Sequence, residues 1–145
     1  MLREIAHPQP CKIALLSIGT IARACAEAAD AMAAGGLEVT HADMRFVKPL
    51  DLALLGRIAM SHDALITVEE NACAGGFGAA VAEGLSVLGI QRRQVMIGVA
   101  DQWVEHGATG ELLKRIGLDA AGIQQAIRNV SEEILGHPQV AEFAE

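Results

Sequence analysis

Acidic residues and a histidine follow the ends of two predicted strands, where their side chains could do chemistry. Glu69 and Glu70 end the third predicted strand, while Asp101, Glu105 and His106 follow the fourth. Open parallel sheets place functional groups at the carboxyl ends of their strands. His106 titrates near neutral pH, so with the neighbouring acids it could act as a base, shuttle protons or bind phosphate. The alternative is a hydrogen-bonded loop that closes a subunit interface. No residue is therefore assigned as catalytic, and His106 is kept as a candidate.

The glutamate pair is followed by a glycine cluster, Gly75-Gly-Phe-Gly78, which opens a predicted helix. Neighbouring residues of a strand point to opposite faces, so Glu69 and Glu70 are not expected to form one acid–base dyad. An interface or loop-anchoring role is favoured for them. Free N–H groups at a helix start can bind phosphate, but the cluster matches neither GxGxxG nor a P-loop. A tight turn with close helix–sheet packing is the favoured interpretation.

A loop with basic and aromatic side chains precedes Pro49. Arg45 and Lys48 flank Phe46 there, and they could pair with carboxylates across a domain or subunit contact. A solvated loop is the alternative. Trp103 is an apolar anchor for a neighbouring domain or, equally, local core cover. The candidate interface residues are Arg45, Phe46, Glu69, Glu70, Trp103, Glu105 and His106.

The elements that position these residues alternate along the chain. A near-continuous apolar run predicts a buried strand over residues 12–18, and further strands are predicted over residues 37–43, 64–69 and 93–100. Helical periodicity predicts helices over residues 21–34, 52–61, 77–89, 110–116 and 119–135, with Thr20 and Asp51 as N-caps of the first two. This order predicts a three-layer α/β/α fold with a mostly parallel sheet. Residues 2–5 are predicted to add an antiparallel edge strand, giving five strands in one domain of residues 1–145, with residues 136–145 as a loosely ordered tail.

Composition excludes several functions. The 145 residues carry a net charge of -7, whereas nucleic-acid binding needs a basic stripe. The chain has no apolar window of the ~18 residues that a membrane span requires. Its three cysteines are odd in number and form no CxxC pair, which disfavours a disulfide framework or a zinc site. Cys25 is predicted to be a small hydrophobe on a helix face. We expect a reducing, cytoplasmic location without a metal site.

Three blocks of sequence carry a family resemblance. They are ADMRFVKPLD at residues 42–51, ITVEE at 66–70 followed by GGFG at 75–78, and DQWVEHG at 101–107 followed by GLDAAGI at 117–123. Together they resemble the C-terminal domain of the transketolase superfamily, over about residues 2–130. The third block is similar to the 1-deoxy-D-xylulose-5-phosphate synthase family in particular.

The resemblance implies a role within a larger enzyme. That family condenses pyruvate with glyceraldehyde 3-phosphate, releases carbon dioxide and supplies isoprenoid, thiamine and pyridoxal synthesis, using thiamine diphosphate and Mg²⁺. A Gly-Asp-Gly motif on the first domain holds the cofactor, and this chain has no such motif. The chain is therefore expected to bind no cofactor, to be inactive alone, to pack on the N-terminal and middle domains of the same enzyme, and to build a homodimer.

Two other interpretations stay open. One is the C-terminal domain of a transketolase or of a 2-oxo acid dehydrogenase beta subunit, which the EHG loop disfavours. The other is a free-standing small-molecule-binding α/β domain that uses the crevice at the carboxyl ends of its strands. The segment after Met1 resembles an interdomain junction, as in a cut domain or a split gene. A docking domain is expected to expose an apolar patch.

Overall fold

The computed structural model describes residues 11–100 and 108–136. Its elements are β1 (Lys12–Ser17), a 3-10 turn (Gly19–Ile21), α1 (Ala22–Ala34), β2 (Glu38–Asp43), α2 (Leu52–Ser61), β3 (Ala64–Ala72), α3 (Phe77–Val87), β4 (Arg93–Val99), α4 (Thr109–Arg115) and α5 (Ala120–Gly136). Every element predicted within these ranges is present and in the predicted order. None of the described helices has the length and apolar character needed to cross a membrane.

The described strands form one parallel sheet in the order β2-β1-β3-β4. Ile13 of β1 lies opposite Val39 of β2 and Ala64 of β3, which fixes the register of the central strands. All four carboxyl ends therefore meet at one edge of the sheet. The α/β fold with a mostly parallel sheet is confirmed. The predicted fifth strand falls on residues 2–5, which lie outside the described part of the chain, as does the tail after Gly136.

Helices cover both faces of the sheet, because the side chains of β1 and β3 alternate between the faces. One face packs against α1 and α5, and its core is made by Ile13, Leu15, Ile66, Cys25, Ala28, Ile123 and Ile127. The other packs against α2 and α3, with Ala14, Leu16, Leu65, Leu55, Ile58, Phe77 and Val81. Cys25 is fully buried, which confirms the prediction of a small core hydrophobe.

The two predicted helix caps have different outcomes. The backbone N–H of Leu54 donates to Asp51 Oδ1 at 2.8 Å, which confirms Asp51 as the cap of α2. The cap prediction for Thr20 is wrong. A 3-10 turn precedes α1, and no side chain caps the helix start. Thr20 lies inside that turn, and its hydroxyl donates instead to Glu70 at the end of β3.

Strand β3 is longer than predicted. β3 continues past Glu69 to Ala72, because Ala72 still pairs with Val99 of β4 after a register shift. Tertiary pairing thus extends a polar segment that the sequence pattern assigns to a loop.

Helix α2 approaches α3 closely. Gly84 permits this contact, since a Cβ atom there would lie 2.9 Å from Cδ2 of Leu55.

Candidate functional site

A cleft of about 380 Å³ opens at the carboxyl edge of the sheet. The cleft is lined by the segments after β1 and β2, the last part of β3, the turn that follows it and the start of α3: Ile18, Gly19, Val47, Glu69, Glu70, Asn71, Gly75, Gly76 and Phe77. The glutamate pair and the glycine cluster, singled out separately in the sequence, therefore share one cleft. This is the edge where open α/β sheets bind ligands.

Glu69 holds the start of α3. Its side chain is only 2% exposed, and its carboxylate accepts the backbone N–H groups of Phe77 at 2.8 Å and of Gly78 at 2.9 Å. A carboxylate in this position satisfies donors that have no partner within the helix and interacts favourably with the helix dipole. The two donors that a bound phosphate would need are thus already engaged by the protein.

The glycines allow this turn to close. Gly75 has a φ of 70°, in the left-handed region that glycine adopts without steric cost. A Cβ atom on Gly76 would overlap the Glu69 carboxylate, and one on Gly78 would lie 2.8 Å from Oγ1 of Thr67. The contacts therefore favour the tight turn with close helix–sheet packing over a phosphate site.

Glu70 is directed to a different partner. It is exposed, and its carboxylate accepts the hydroxyl of Thr20. Glu69 and Glu70 therefore have separate hydrogen-bond partners in the structure, one in α3 and one in the turn before α1. The pair has no shared hydrogen bond that would support proton exchange between the two carboxylates.

The loop after β2 holds the predicted basic and aromatic residues at the same edge. Met44 is buried and anchors the loop, with its N–H donating to the Ser17 carbonyl at 2.9 Å. Arg45 has a φ of 60°, uncommon for a residue with a side chain. Its N–H donates to Asp43 Oδ1 at 3.1 Å. These contacts hold the backbone of the loop just before Phe46.

Phe46 and Val47 give this loop an apolar surface. Their side chains are 66% and 40% exposed, respectively. The flanking Arg45 and Lys48 are exposed as well, and within residues 11–100 and 108–136 neither forms an ion pair. The other candidates, Trp103, Glu105 and His106, lie outside the described residues with Asp101, so their roles remain predictions.

A partly buried polar pair between β1 and β2 is not evident from the sequence. Ser17 Oγ lies 2.8 Å from His41 Nε2, and burial lowers the pKa of His41, against the opposing effect of Asp43 and Asp30. A serine beside a histidine is one form of activated nucleophile. Ser17, however, is fully buried, and the cleft is lined by the next residue, Ile18. The pair is therefore structural, and only the strand register reveals it.

The described residues do not fit thiamine diphosphate and Mg²⁺, the cofactors that the resemblance implies for the whole enzyme. In the part of the chain that the structure describes, no group of three or more His, Cys, Asp or Glu side chains is arranged to hold a metal ion. The N–H donors at the start of α3, which suit a diphosphate, are occupied by Glu69.

The chain is similar to known proteins over most of its length. The model of the transketolase C-terminal domain family matches residues 4–123. A 1-deoxy-D-xylulose-5-phosphate synthase of Vibrio vulnificus is 49% identical over 118 residues, covering 81% of this chain and 18% of the relative. Those of Shewanella amazonensis and Bordetella avium are 49% and 42% identical, covering 87% and 92% of this chain and 20% and 21% of the relatives.

One solved structure is also similar. A split-gene transketolase, described as an inactive β4 tetramer, superposes with a TM-score of 0.73 at 31% identity and covers 83% of this chain and 38% of that one. This structural similarity supports the arrangement of helices and strands described above for this chain. The chain spans 18–21% of the length of the three curated relatives above, so its matched region is a small part of each.

Proposed function

The chain belongs to the transketolase C-terminal domain family, and from this membership we propose that it is the third domain of a 1-deoxy-D-xylulose-5-phosphate synthase. The observation that carries the proposal is its 42–49% identity to synthases of that name over most of its own length. The family model alone also fits transketolases. The identity to the synthases favours this branch over a transketolase or a 2-oxo acid dehydrogenase beta subunit.

The proposed whole enzyme joins pyruvate to glyceraldehyde 3-phosphate and releases carbon dioxide, yielding 1-deoxyxylulose 5-phosphate for isoprenoid and thiamine synthesis in the cytoplasm. Thiamine diphosphate and Mg²⁺ supply the carbanion chemistry when bound to other domains. The described residues fit a diphosphate and a metal ion poorly, which supports the proposal that other domains bind the cofactors. By itself the chain forms no bond in the reaction.

The proposed task of this chain is to dock. It packs on the N-terminal and middle domains and takes part in a homodimer of the complete enzyme. The exposed Phe46 and Val47, beside two cations that form no ion pair with the other described residues, support a contact surface at the carboxyl edge. The similar split-gene transketolase chain, described as an inactive tetramer of β chains, supports both self-association and lack of activity alone.

A chimaera tests the proposal. This chain replaces the matching region of the Vibrio vulnificus synthase, and formation of 1-deoxyxylulose 5-phosphate is measured against the intact enzyme and against the same enzyme with that region deleted. We expect the chimaera to recover activity that the deletion lacks. A folded chimaera no more active than the deletion would contradict the proposal, and so would tight binding of thiamine diphosphate to the isolated chain in calorimetry.

The same chimaera also tests the roles proposed for residues 101–107. His106 stays a candidate for contact with the active site of the complete enzyme, and Trp103 and Glu105 stay candidates for its interface. In the chimaera, His106→Ala should lower kcat or raise KM if the imidazole touches substrate. Unchanged kcat and KM would remove the catalytic candidate and leave the docking role intact.

A further inference from the structure

We infer that residues 137–145 fold back over the amino edge of the sheet and cover an apolar patch at the ends of α2 and α3. The patch, named the helix-end patch, consists of Met60, Val87 and Leu88, whose side chains are 75%, 76% and 38% exposed. It lies at the opposite edge of the sheet from the cleft, so the inference is independent of the proposed docking role.

The first argument is that the three side chains form one surface. Helices α2 and α3 both end at the amino edge, since each leads into the next parallel strand. A Cβ atom on Gly56 would lie 3.5 Å from Cδ1 of Leu88, and Met60 lies one turn after Gly56 on the same face of α2. Single exposed apolar side chains are normal, whereas a contiguous group of them marks a surface that binds another.

The second argument is that residues 137–145 begin beside the patch. Arg93 pairs with Glu133 in the last turn of α5, and the preceding Arg92 donates from Nε to the Ala59 carbonyl at 2.7 Å. Two consecutive residues therefore connect the end of α5 with the end of α2. Nine residues in extended form reach about 30 Å, more than the roughly 20 Å between helix layers on opposite faces of a sheet.

The third argument is that the composition of residues 137–145 complements the patch. The segment supplies Val140 and Phe143 as apolar contacts, and its charged residues are the acids Glu142 and Glu145, with no Lys or Arg. Its covalent link to α5 gives it an effective concentration in the millimolar range, so even a weak contact is populated.

Exposed cations flank the patch and match these acids. Arg57 and Arg92 form no ion pair within residues 11–100 and 108–136. A two-fold contact of the patch with a second copy would bring these cations together. The range Leu52–Ser61 of α2 has no acid to offset them, and Glu83 of α3 lies nearer the carboxyl edge. The charges therefore favour the acidic segment as the occupant.

Oxidation of Met60 by hydrogen peroxide, followed by mass spectrometry of the peptide that contains it, measures this cover, since formation of the sulfoxide requires access of the oxidant. In the 145-residue chain we expect Met60 to react at least about threefold more slowly than in a chain lacking residues 137–145. That ratio corresponds to a segment bound in about two-thirds of the molecules. Met44 is buried and is the slow internal reference.

A single substitution keeps the test independent of the deletion. Phe143→Ser should raise the rate at Met60 to within about twofold of the rate in the deletion variant, because an aromatic side chain contributes much of the binding energy of such a contact. Ala144→Ser is the matched control, since it introduces the same hydroxyl without removing a large apolar group, and it should leave the rate unchanged. Urea unfolding verifies that each variant is folded.

Charge reversal tests the complementarity. Arg57→Glu should raise the rate at Met60, because the acidic segment then meets like charge, and adding Glu142→Lys should return it to within about twofold of the parent rate. An increase in NaCl from about 50 mM to about 500 mM should speed the reaction in the parent chain and leave the deletion variant unchanged, since salt screens exposed charges.

Equal rates at Met60 in the parent chain and the deletion variant would overturn the inference. Protection that survives Phe143→Ser, or that is indifferent to both salt and Arg57→Glu, would equally contradict it. A parent rate that falls as the protein concentration rises from about 1 μM to about 100 μM would show that a second copy provides the cover. None of these results bears on the synthase role, which the activity of the chimaera tests separately.

Discussion

Glu69 and Phe77 are joined across the β3–α3 turn, where the buried carboxylate accepts the backbone N–H at 2.8 Å. The same carboxylate also accepts the N–H of Gly78, so one side chain of the sheet closes the N-terminal end of a helix. The relationship explains why a strand and a helix that flank a glycine-rich turn stay in contact beside an open cleft.

Loss of this carboxylate should destabilise the chain. Glu69→Ala leaves two buried N–H donors without an acceptor, and we expect the free energy of unfolding to fall by about 3 kcal/mol. Glu69→Gln retains one acceptor oxygen and should cost about half as much. Urea unfolding measures both. Glu70→Gln is the control and should change stability by less than about 0.5 kcal/mol, because Glu70 is exposed. Equal effects at the two positions would contradict the anchoring role of Glu69.

The α2–α3 contact should not tolerate a methyl group at Gly84. Gly84→Ala would place Cβ 2.9 Å from Leu55 Cδ2 and 3.0 Å from Leu52 Cδ2. Overpacking of this kind costs about 1–3 kcal/mol. Gly110→Ala is the matched control, since nothing lies within 4 Å of that Cβ and the change favours α4. Thermal unfolding should therefore shift down for the first variant only, and a neutral Gly84→Ala would show that the helices can separate freely.

Stability should decline in mild acid because of His41. Burial holds the pKa of His41 below its ordinary value, while Asp43 and Asp30 act in the opposite direction. The unfolded chain therefore binds the proton more readily. The stability that the neutral imidazole contributes is present above about pH 6.5 and is lost as the pH falls through the window below it.

Comparing unfolding at about pH 7.5 and about pH 5.5 isolates this effect. His41→Gln keeps a polar group for Ser17 but does not titrate, so the variant should lose less stability between the two pH values than the parent chain. An identical pH dependence in both proteins would show that His41 has no part in the acid sensitivity.

The cysteines should differ in reactivity. Burial raises the pKa of the Cys25 thiol to about 12, against a hydrogen bond with Ser17 that lowers it. Thiols react as thiolates, so Cys25 should resist a disulfide reagent in the folded chain at about pH 8. Cys11 is buried as well, whereas Cys73 is partly exposed and should be modified first. Cys73→Ser should remove the first phase of labelling, and prompt labelling of Cys25 would contradict its burial.

Local patterns predicted the elements well where local contacts decide them. The predicted bounds of α2, residues 52–61, agree with the structure because Asp51 caps the helix and Pro49 precedes it. The parallel sheet followed from the alternation of apolar runs and helices. In both cases the determining residues lie within a few positions of the element.

The errors and omissions all depend on distant pairing. Thr20 looks like a helix cap in the sequence, but its partner Glu70 lies 50 residues away. Ser17 and His41 come together only through the β1–β2 register, 24 residues apart. For Glu69 the sequence favours an interface or loop-anchoring role, but the two N–H donors that it accepts are identified only in the folded turn. The sequence does contain one signal for this contact, namely a glutamate at the predicted end of a strand, eight residues before the start of a helix.

The packing of α1 against α5 has a consequence for how the chain is made. One face of the sheet is closed by α5, the last helix described, which packs beside α1, the first one. Until α5 has left the ribosome, Ile13, Leu15 and Ile66 lack part of their cover. A chain truncated before residue 120 should therefore expose these side chains to water and be prone to aggregation or chaperone binding.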